Sequence, residues 1–348
     1  MGITIENKTI DENNPVYIIA ELSANHNQNQ DLALKTIDAI KEAGADAVKL
    51  QTYRPETMTM DIDSPLFLTR PDSLWAGRKL YDLYKEAYTP WEWHPRLQEH
   101  TRDLGLHFFS SPFDRAAVDF LEDLNVPAYK IASLEIVDIP LIKYIAARKK
   151  PIIISTGVAE IEDIDLAIET CQKEGNENVA LLKCTSAYPT PLNEVNLKTI
   201  PEMARKWQKT IGLSDHTMSL ATPVAAVALG ARIIEKHFII DRSLGGPDSE
   251  FSLNKEEFKA MVDAVRQTEE ILGTSTYTVT DKMKKAKVSV RSLYISKDLK
   301  KGDTLAEENI KSLRPNHGLH PKYYFELLGK RLKKDVRRGT PVSWDLIE

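Results

Sequence analysis

Short apolar runs rich in β-branched residues alternate with amphipathic stretches of helical period from residue 16 to residue 272. Eight runs read as strands: Val16–Ala20, Ala47–Leu50, Leu106–Phe109, Ala128–Ile131, Ile152–Ser155, Val179–Lys183, Thr210–Leu213 and Ile233–Lys236. Between them the period of about 3.6 residues predicts helices over Leu32–Ala43, Pro95–Leu104, Arg115–Leu124, Ile139–Arg148, Ile161–Lys173 and Leu220–Leu229, with Lys255–Leu272 after the last strand. Strands and helices in alternation build a parallel sheet with helices on its faces. Eight such units match the (β/α)8 TIM barrel in number and length, while a doubly wound open sheet also fits, because periodicity does not show closure.

One connection breaks this rhythm. Residues 53–90 hold Arg54, Arg70, Trp75, Arg78, Tyr81, Tyr84 and Lys85, and a loop of that length in a compact domain is usually functional. It follows the second strand, so it either covers the mouth of a barrel or adds a helix, Gly77–Ala87, at the barrel's edge. Beyond Gly273 the pattern changes to a polar stretch, a second alternating segment at Arg291–Tyr294, a turn at KKGDTL, a short helix or strand in AEENIKSLRP and a helix in PKYYFELLGKRL. The predicted organisation is a barrel over 1–273, a linker over 274–288 and a small α+β domain over 289–348.

Composition sharpens this division. The net charge is −5, yet residues 281–348 carry 17 Lys and Arg against 9 Asp and Glu, a surplus of +8 that leaves −13 for residues 1–280. The basic tail is either a solvated face or an element placed over an anionic ligand. An acidic whole without an aromatic and basic reading motif argues against nucleic acid. No apolar run is long enough for a bilayer, and the N-terminus lacks a secretory layout. Two cysteines, Cys171 and Cys184, are too few for a disulfide framework, so a reducing cytoplasm is expected.

In a barrel the C-terminal strand ends converge on one site, and here each strand runs into polar groups. They include Glu21, Lys49 with Gln51, Ser111, Lys130 with Ser133 and Glu135, Ser155, Lys183 with Ser186 and Tyr188, Ser214 with His216, and Glu235 with His237. Lysines inside or just after apolar strands are costly unless paired, which points to an anion. His216 and His237 fall at matched heights on adjacent strands, where they either share a divalent cation or form ordinary hydrogen bonds. Glu235 either orients a water on such a cation or pairs with Lys236. His94, His100, His107 and His320 read as structural or solvated, and Cys184 as a small buried side chain without an adjacent base. Neither a Walker sequence nor GxGxxG occurs.

Read together, IAELSANH (19–26), GADAVKLQT (44–52), FSSPFD (109–114), YKIAS (129–133), ISTG (154–157), LLKCTSAYPTP (181–191), GLSDHT (212–217) and IEKHF (234–238) resemble the sialic acid synthase family. The tail RSLYISKDLKKGDTLAEENIKSLRP resembles that family's antifreeze-like SAF domain, a β-clip fold. Among its branches, LWAGRKLYDLYKEAYTPWEWH, IASLEI and RPNHGLHPKYY look most like the pseudaminic acid synthases. The resemblance implies condensation of phosphoenolpyruvate with 2,4-diacetamido-2,4,6-trideoxy-altropyranose, with N-acetylneuraminate or legionaminate synthesis as the alternative and a non-catalytic carbohydrate-binding protein as a distant one.

The resemblance further implies Mn2+ or Mg2+ on His216 and His237. Phosphoenolpyruvate would meet Lys49, Ser111, Lys130, Ser133, Ser155, Ser186 and Ser214, with Ser111 standing where the family usually has threonine and Ser186 where it has asparagine. The sugar would meet Glu21, Gln51, Tyr188, Asp248 and, from the other subunit of a domain-swapped homodimer, Arg314. Beside Lys130, Glu135 is the expected handler of the water's proton and of sugar ring opening, with Glu235 as a second catalytic carboxylate.

Overall fold

The computed structural model describes residues 2–348. A hairpin of β1 (Ile3–Ile5) and β2 (Lys8–Ile10) precedes eight parallel strands, β3 (Tyr17–Glu21), β4 (Ala47–Thr52), β5 (His107–Pro112), β6 (Tyr129–Ile131), β7 (Ile152–Ser155), β8 (Val179–Cys184), β9 (Thr210–Asp215) and β10 (Ile233–His237). They close into a barrel in which β10 pairs with β3, in the register Ile233 to Tyr17 through His237 to Glu21. The fold is therefore a TIM barrel, and closure excludes the open sheet.

Several strands extend one or two residues past the apolar runs, because their polar ends belong to the ladder. Thus β4 includes Gln51 and Thr52, β9 includes Ser214 and Asp215, and β10 includes His237. The helices follow the apolar period. In Gln30–Ala43 the positions Ala33, Ile37 and Ile40 are buried, Asn29 accepts from the Leu32 amide at the start, and Gly44 ends it at φ 89°. That left-handed conformation favours glycine. Helix Lys255–Leu272 opens with a reciprocal cap between Asn254 and Glu257.

The hairpin was not anticipated. Its Ile3, Ile5 and Ile10 are buried, and Asn7 meets His107 at the start of β5 at 3.0 Å, so it packs at the barrel's N-terminal end. A helix at Thr199–Trp207 was also unpredicted, since Pro201 lies in its first turn and only Ile200 and Met203 are buried. The long loop carries short helices at Pro55–Met58 and Leu80–Ala87. Among the described residues no helix is long and apolar enough to cross a membrane.

The chain divides into two compact units, with the boundary after Gly273. The second unit pairs β11 (Ser292–Ile295) with β12 (Ile310–Leu313) and holds its own core, including Leu293, Ile295, Leu305, Ile310, Leu327, Leu332 and Val342. Two expectations change here. The 274–288 stretch contains a helix at Asp281–Ala286, and PKYYFELLGKRL is helical only over a 3-10 turn at Pro321–Tyr323 and the α turn Tyr324–Leu327 that follows it. Gly329 at φ 86° turns the chain so that Leu332 bridges to Ile347 in an extended pairing, and both side chains are buried.

Candidate active site

The C-terminal mouth of the barrel holds a buried chain of alternating charges. Lys49 Nζ lies 2.7 Å from Glu21 Oε2 and 3.0 Å from Glu235 Oε1, and Lys130 Nζ lies 3.5 Å from the same Glu235 oxygen. Strand alternation explains the convergence, because Glu21, Lys49 and Glu235 all point into the barrel while their chain neighbours point to the helices. Each ion is almost fully buried, so desolvation alone would neutralise it. The neighbouring opposite charges outweigh that cost for Glu21 and Glu235, whose pKa values fall, and for Lys49, whose pKa rises. For Lys130 desolvation dominates and lowers it. Lys49 and Lys130 thus do pair with anions, carboxylates of this chain, whereas Lys183 donates to the Cys184 carbonyl and to the Thr185 hydroxyl.

Hydroxyls complete the cluster. Lys130 donates to Ser155 Oγ at 2.7 Å, Ser214 donates to Glu235 at 3.1 Å, and Ser133 accepts from the Gly157 amide at 3.0 Å. Ser111 Oγ and Glu235 Oε2 are buried without hydrogen-bond partners, which leaves donor and acceptor capacity aimed at the mouth. Gly157 went unrecognised as a site residue although it ends the ISTG phrase. A Cβ there would stand 2.3 Å from Ser186 Oγ, 2.8 Å from Ser133 Oγ and 2.9 Å from Cys184 Sγ, so only glycine lets these three side chains meet its backbone.

The two histidines are neighbours, with ring centroids 5.4 Å apart. His216 Nδ1 lies 3.2 Å from the Thr185 carbonyl, so as a donor there it carries its lone pair on Nε2. His237 Nε2 is 3.4 Å from Glu21, and its Nδ1 is buried without a hydrogen-bond partner. Burial lowers the pKa of His237, whereas at His216 the Cys184 thiol and the Thr185 carbonyl outweigh desolvation and raise it. An orphaned imidazole nitrogen beside a second imidazole fits a divalent cation held by two protein nitrogens. Among the described residues no group of three His, Cys, Asp or Glu forms a metal site, so further ligands would come from outside the chain.

Two readings are corrected and one alternative is resolved. Lys236 bonds to Asp215 at 2.8 Å and to the Thr217 carbonyl, not to Glu235, because adjacent residues of a strand face opposite ways. Cys184 does have an imidazole neighbour, His216 Nδ1 at 3.9 Å, although that nitrogen is the one that donates to the Thr185 carbonyl; burial pushes the thiol up, but the imidazole pulls it further down, to about 7. The loop 53–90 reaches the mouth, since Trp75 Nε1 donates at 2.9 Å to the carbonyl of Pro247, after β10. His94 is structural as expected, bonded to Thr52 at 2.8 Å.

Gln51 donates to Glu21 and to Ser23 Oγ, both at 2.9 Å, and Ser23 donates to Asp248 at 2.5 Å. Tyr188 packs at a tilt on His216, with centroids 4.4 Å apart, and Phe251, which sequence reading passed over, lies 4.9 Å from His237 and 5.0 Å from Tyr188. Phe251 sits in a polar loop with no periodicity to single it out. Glu135, in the turn Ser133–Val137 after β6, has a buried unpartnered Oε2, and burial raises its pKa to about 7. Arg314 is exposed in the second unit, apart from this description of the barrel.

Comparison with known proteins accords with this arrangement. The NeuB family model matches residues 36–277 and the SAF domain model residues 290–348. The chain is 50% identical to pseudaminic acid synthase of Campylobacter jejuni over 94% of this chain and 95% of that protein. It is 47% identical to pseudaminic acid synthase of Helicobacter pylori, over 96% and 98%. The crystal structure of N-acetylneuraminic acid synthetase from Leptospira borgpetersenii superposes with a TM-score of 0.73 at 32% identity, covering 82% of this chain and 94% of that one. With its closed barrel, its charge cluster at the strand ends and its C-terminal module, the chain belongs to the NeuB family and carries a SAF domain.

Proposed function

We propose that the protein condenses phosphoenolpyruvate with 2,4-diacetamido-2,4,6-trideoxy-altropyranose to give pseudaminic acid and phosphate. The observation that carries the chemistry is the buried cluster of Lys49, Lys130, Glu21 and Glu235 beside the histidine pair. The choice of sugar follows the two pseudaminic acid synthases, which are more similar to this chain than the N-acetylneuraminic acid synthetase is.

Lys49, Lys130 and the hydroxyls of Ser111, Ser133, Ser155, Ser186 and Ser214 receive the phosphate and carboxylate of the enol phosphate, a site of cationic and neutral donors suited to a trianion. Glu21, Gln51, Tyr188 and Asp248 receive the sugar. His216 and His237 would hold Mn2+ or Mg2+, and a cation there would supply Lewis-acid polarisation to the sugar aldehyde. Carbon 3 of the enol then attacks the aldehyde, and the carbocation at carbon 2 takes up water. The tetrahedral product of that addition loses phosphate and becomes the keto acid.

Glu135, with its free buried oxygen, accepts the water's proton and assists ring opening, while Glu235 keeps Lys49 and Lys130 oriented through its shared Oε1. A reaction that draws on phosphoenolpyruvate would run in the cytoplasm. In a domain-swapped homodimer Arg314 adds positive charge over the neighbour's mouth; mixing Arg314→Ala with Lys130→Met subunits should then restore activity that neither shows alone, and an inactive mixture would refute the swap.

The deciding assay supplies phosphoenolpyruvate with three sugars in turn: the altro sugar, its manno stereoisomer and N-acetylmannosamine. Mass spectrometry and phosphate release should show product with the altro sugar. Preference for either of the others assigns the chain to legionaminate or N-acetylneuraminate synthesis instead.

A further inference from the structure

The long loop contributes an aromatic side chain to the mouth that the charge chemistry does not use. Trp75 is half-buried, pinned by its indole N–H to the Pro247 carbonyl at 2.9 Å. Its ring lies 6.3 Å from Tyr188 and 6.5 Å from Phe251, centroid to centroid, and edge-on to the latter. Those two rings in turn lie 4.4 Å from His216 and 4.9 Å from His237. The three aromatics form a wall that starts at the histidines and ends at Trp75, one ring further out.

Beside the wall the groups are polar: Asp248 accepts from Ser23 and lies 4.0 Å from His237, and Gln51 donates to both Ser23 and Glu21. A ligand lying between the two sides would present hydroxyl and amide groups to one and C–H surface to the other. Aromatic faces favour methyl and C–H surface over a solvated hydroxyl. The indole N–H, the one polar atom of Trp75, is already taken by Pro247, so its ring offers no donor to a sugar hydroxyl.

We infer that Trp75 is a specificity-determining residue that packs on the carbon-6 methyl group of the sugar and selects the 6-deoxy hexose over its 6-hydroxy counterpart. The inference rests on the proposed reaction in one respect: the aldehyde, carbon 1, sits at the histidines, which directs the far end of the hexose along the wall toward Trp75. Tyr188, backed by the buried Phe251, lines the middle of the sugar, and Trp75 closes the end. A hydroxyl at carbon 6 would lose its water against the indole without gaining a partner. A hydrophobic pocket discriminates between such neighbours by roughly 10- to 100-fold.

The test compares kcat/KM of the full-length protein for the diacetamido-trideoxy-altropyranose and for the same sugar bearing a 6-hydroxyl, at saturating phosphoenolpyruvate. Trp75→Ala should lower the preference ratio by roughly tenfold or more, through the KM of the sugar, while the KM of phosphoenolpyruvate stays within about twofold. Trp75→Phe should recover most of the ratio, because it restores an aromatic face without the indole N–H. Trp75→Leu keeps apolar bulk and guards against simple collapse of the loop, and it should keep a measurable part of the preference. An unchanged ratio in folded Trp75→Ala or Trp75→Leu protein would overturn the assignment, as would a rise in the KM of phosphoenolpyruvate equal to that of the sugar. Failure of the unsubstituted enzyme to turn over the altro sugar would instead refute the proposed reaction.

Discussion

The ammonium of Lys49 sits 3.0 Å from a carboxylate oxygen of Glu235, with both groups buried in the barrel's mouth. Because Glu21 holds the same ammonium from the other side, Lys49 bridges two carboxylates that would otherwise repel one another across a desolvated gap. The folded state tolerates this arrangement only while the bridge is complete, and a substrate anion must compete for a lysine that is already engaged.

Replacing Lys49 by methionine is therefore expected to destabilise the protein by about 3–5 kcal/mol, the cost of breaking a buried ion pair. The double variant Lys49→Met with Glu235→Gln should regain a large part of that loss, since it removes one stranded charge. Urea denaturation of the single and double variants measures the coupling directly. Additive losses would show that Glu235 does not depend on Lys49.

Gly157→Ala tests the cradle. Its Cβ would meet Ser186, Ser133 and Cys184 at under 3 Å, and overpacking of this kind costs about 1–3 kcal/mol. The displaced serines should lower kcat/KM for phosphoenolpyruvate by roughly 100-fold, with a smaller effect on the KM of the sugar. Steady-state kinetics in both substrates separates the two effects.

Glu135 should set a pH limb. Burial raises its carboxyl pKa to about 7, so the fold favours the protonated form: its contribution to stability is present below the ordinary carboxylate range and fades as pH rises through 7. As a base it works deprotonated, hence kcat should climb through about pH 7. Glu135→Gln is expected to lower kcat by about 100-fold or more and to flatten this limb. A pH and rate profile that keeps the limb in Glu135→Gln would assign it to another group.

Chelation followed by dialysis should abolish product formation, and Mn2+ or Mg2+ should restore it. Calorimetric titration of Mn2+ into the metal-free protein should show at least about tenfold weaker binding for His216→Ala and for His237→Ala, a readout that does not depend on turnover. Unaltered binding in both variants would move the cation elsewhere.

Local signals and long-range ones were not equally legible. Alternation of strand and helix is a property of neighbouring residues, so the eight barrel strands and helices such as Ile161–Lys173 could be read from period alone. Where the local pattern was weak, as in Thr199–Trp207 with two buried side chains, or where a positive φ at Gly329 cut short an apolar run, the reading failed. The strand-end chemistry was visible as residue types, because lysine and glutamate in apolar strands are conspicuous.

The sequence by itself determined the barrel's element order, the polar residues at its strand ends, and the family resemblance carried by their phrases. Only the tertiary structure decided which charges meet. Lys49 could have faced any anion, but closure of β10 against β3 brings Glu235 and Glu21 to it from two different strands. Pairing of β9 with β10 sets Lys236 against Asp215, pairing of β8 with β9 brings Cys184 to His216, and the loop after β4 carries Trp75 to Pro247. Partners of this kind are set by sheet register and barrel geometry, which couple residues as far apart in the chain as Ser23 and Asp248 and leave no periodic trace in the sequence.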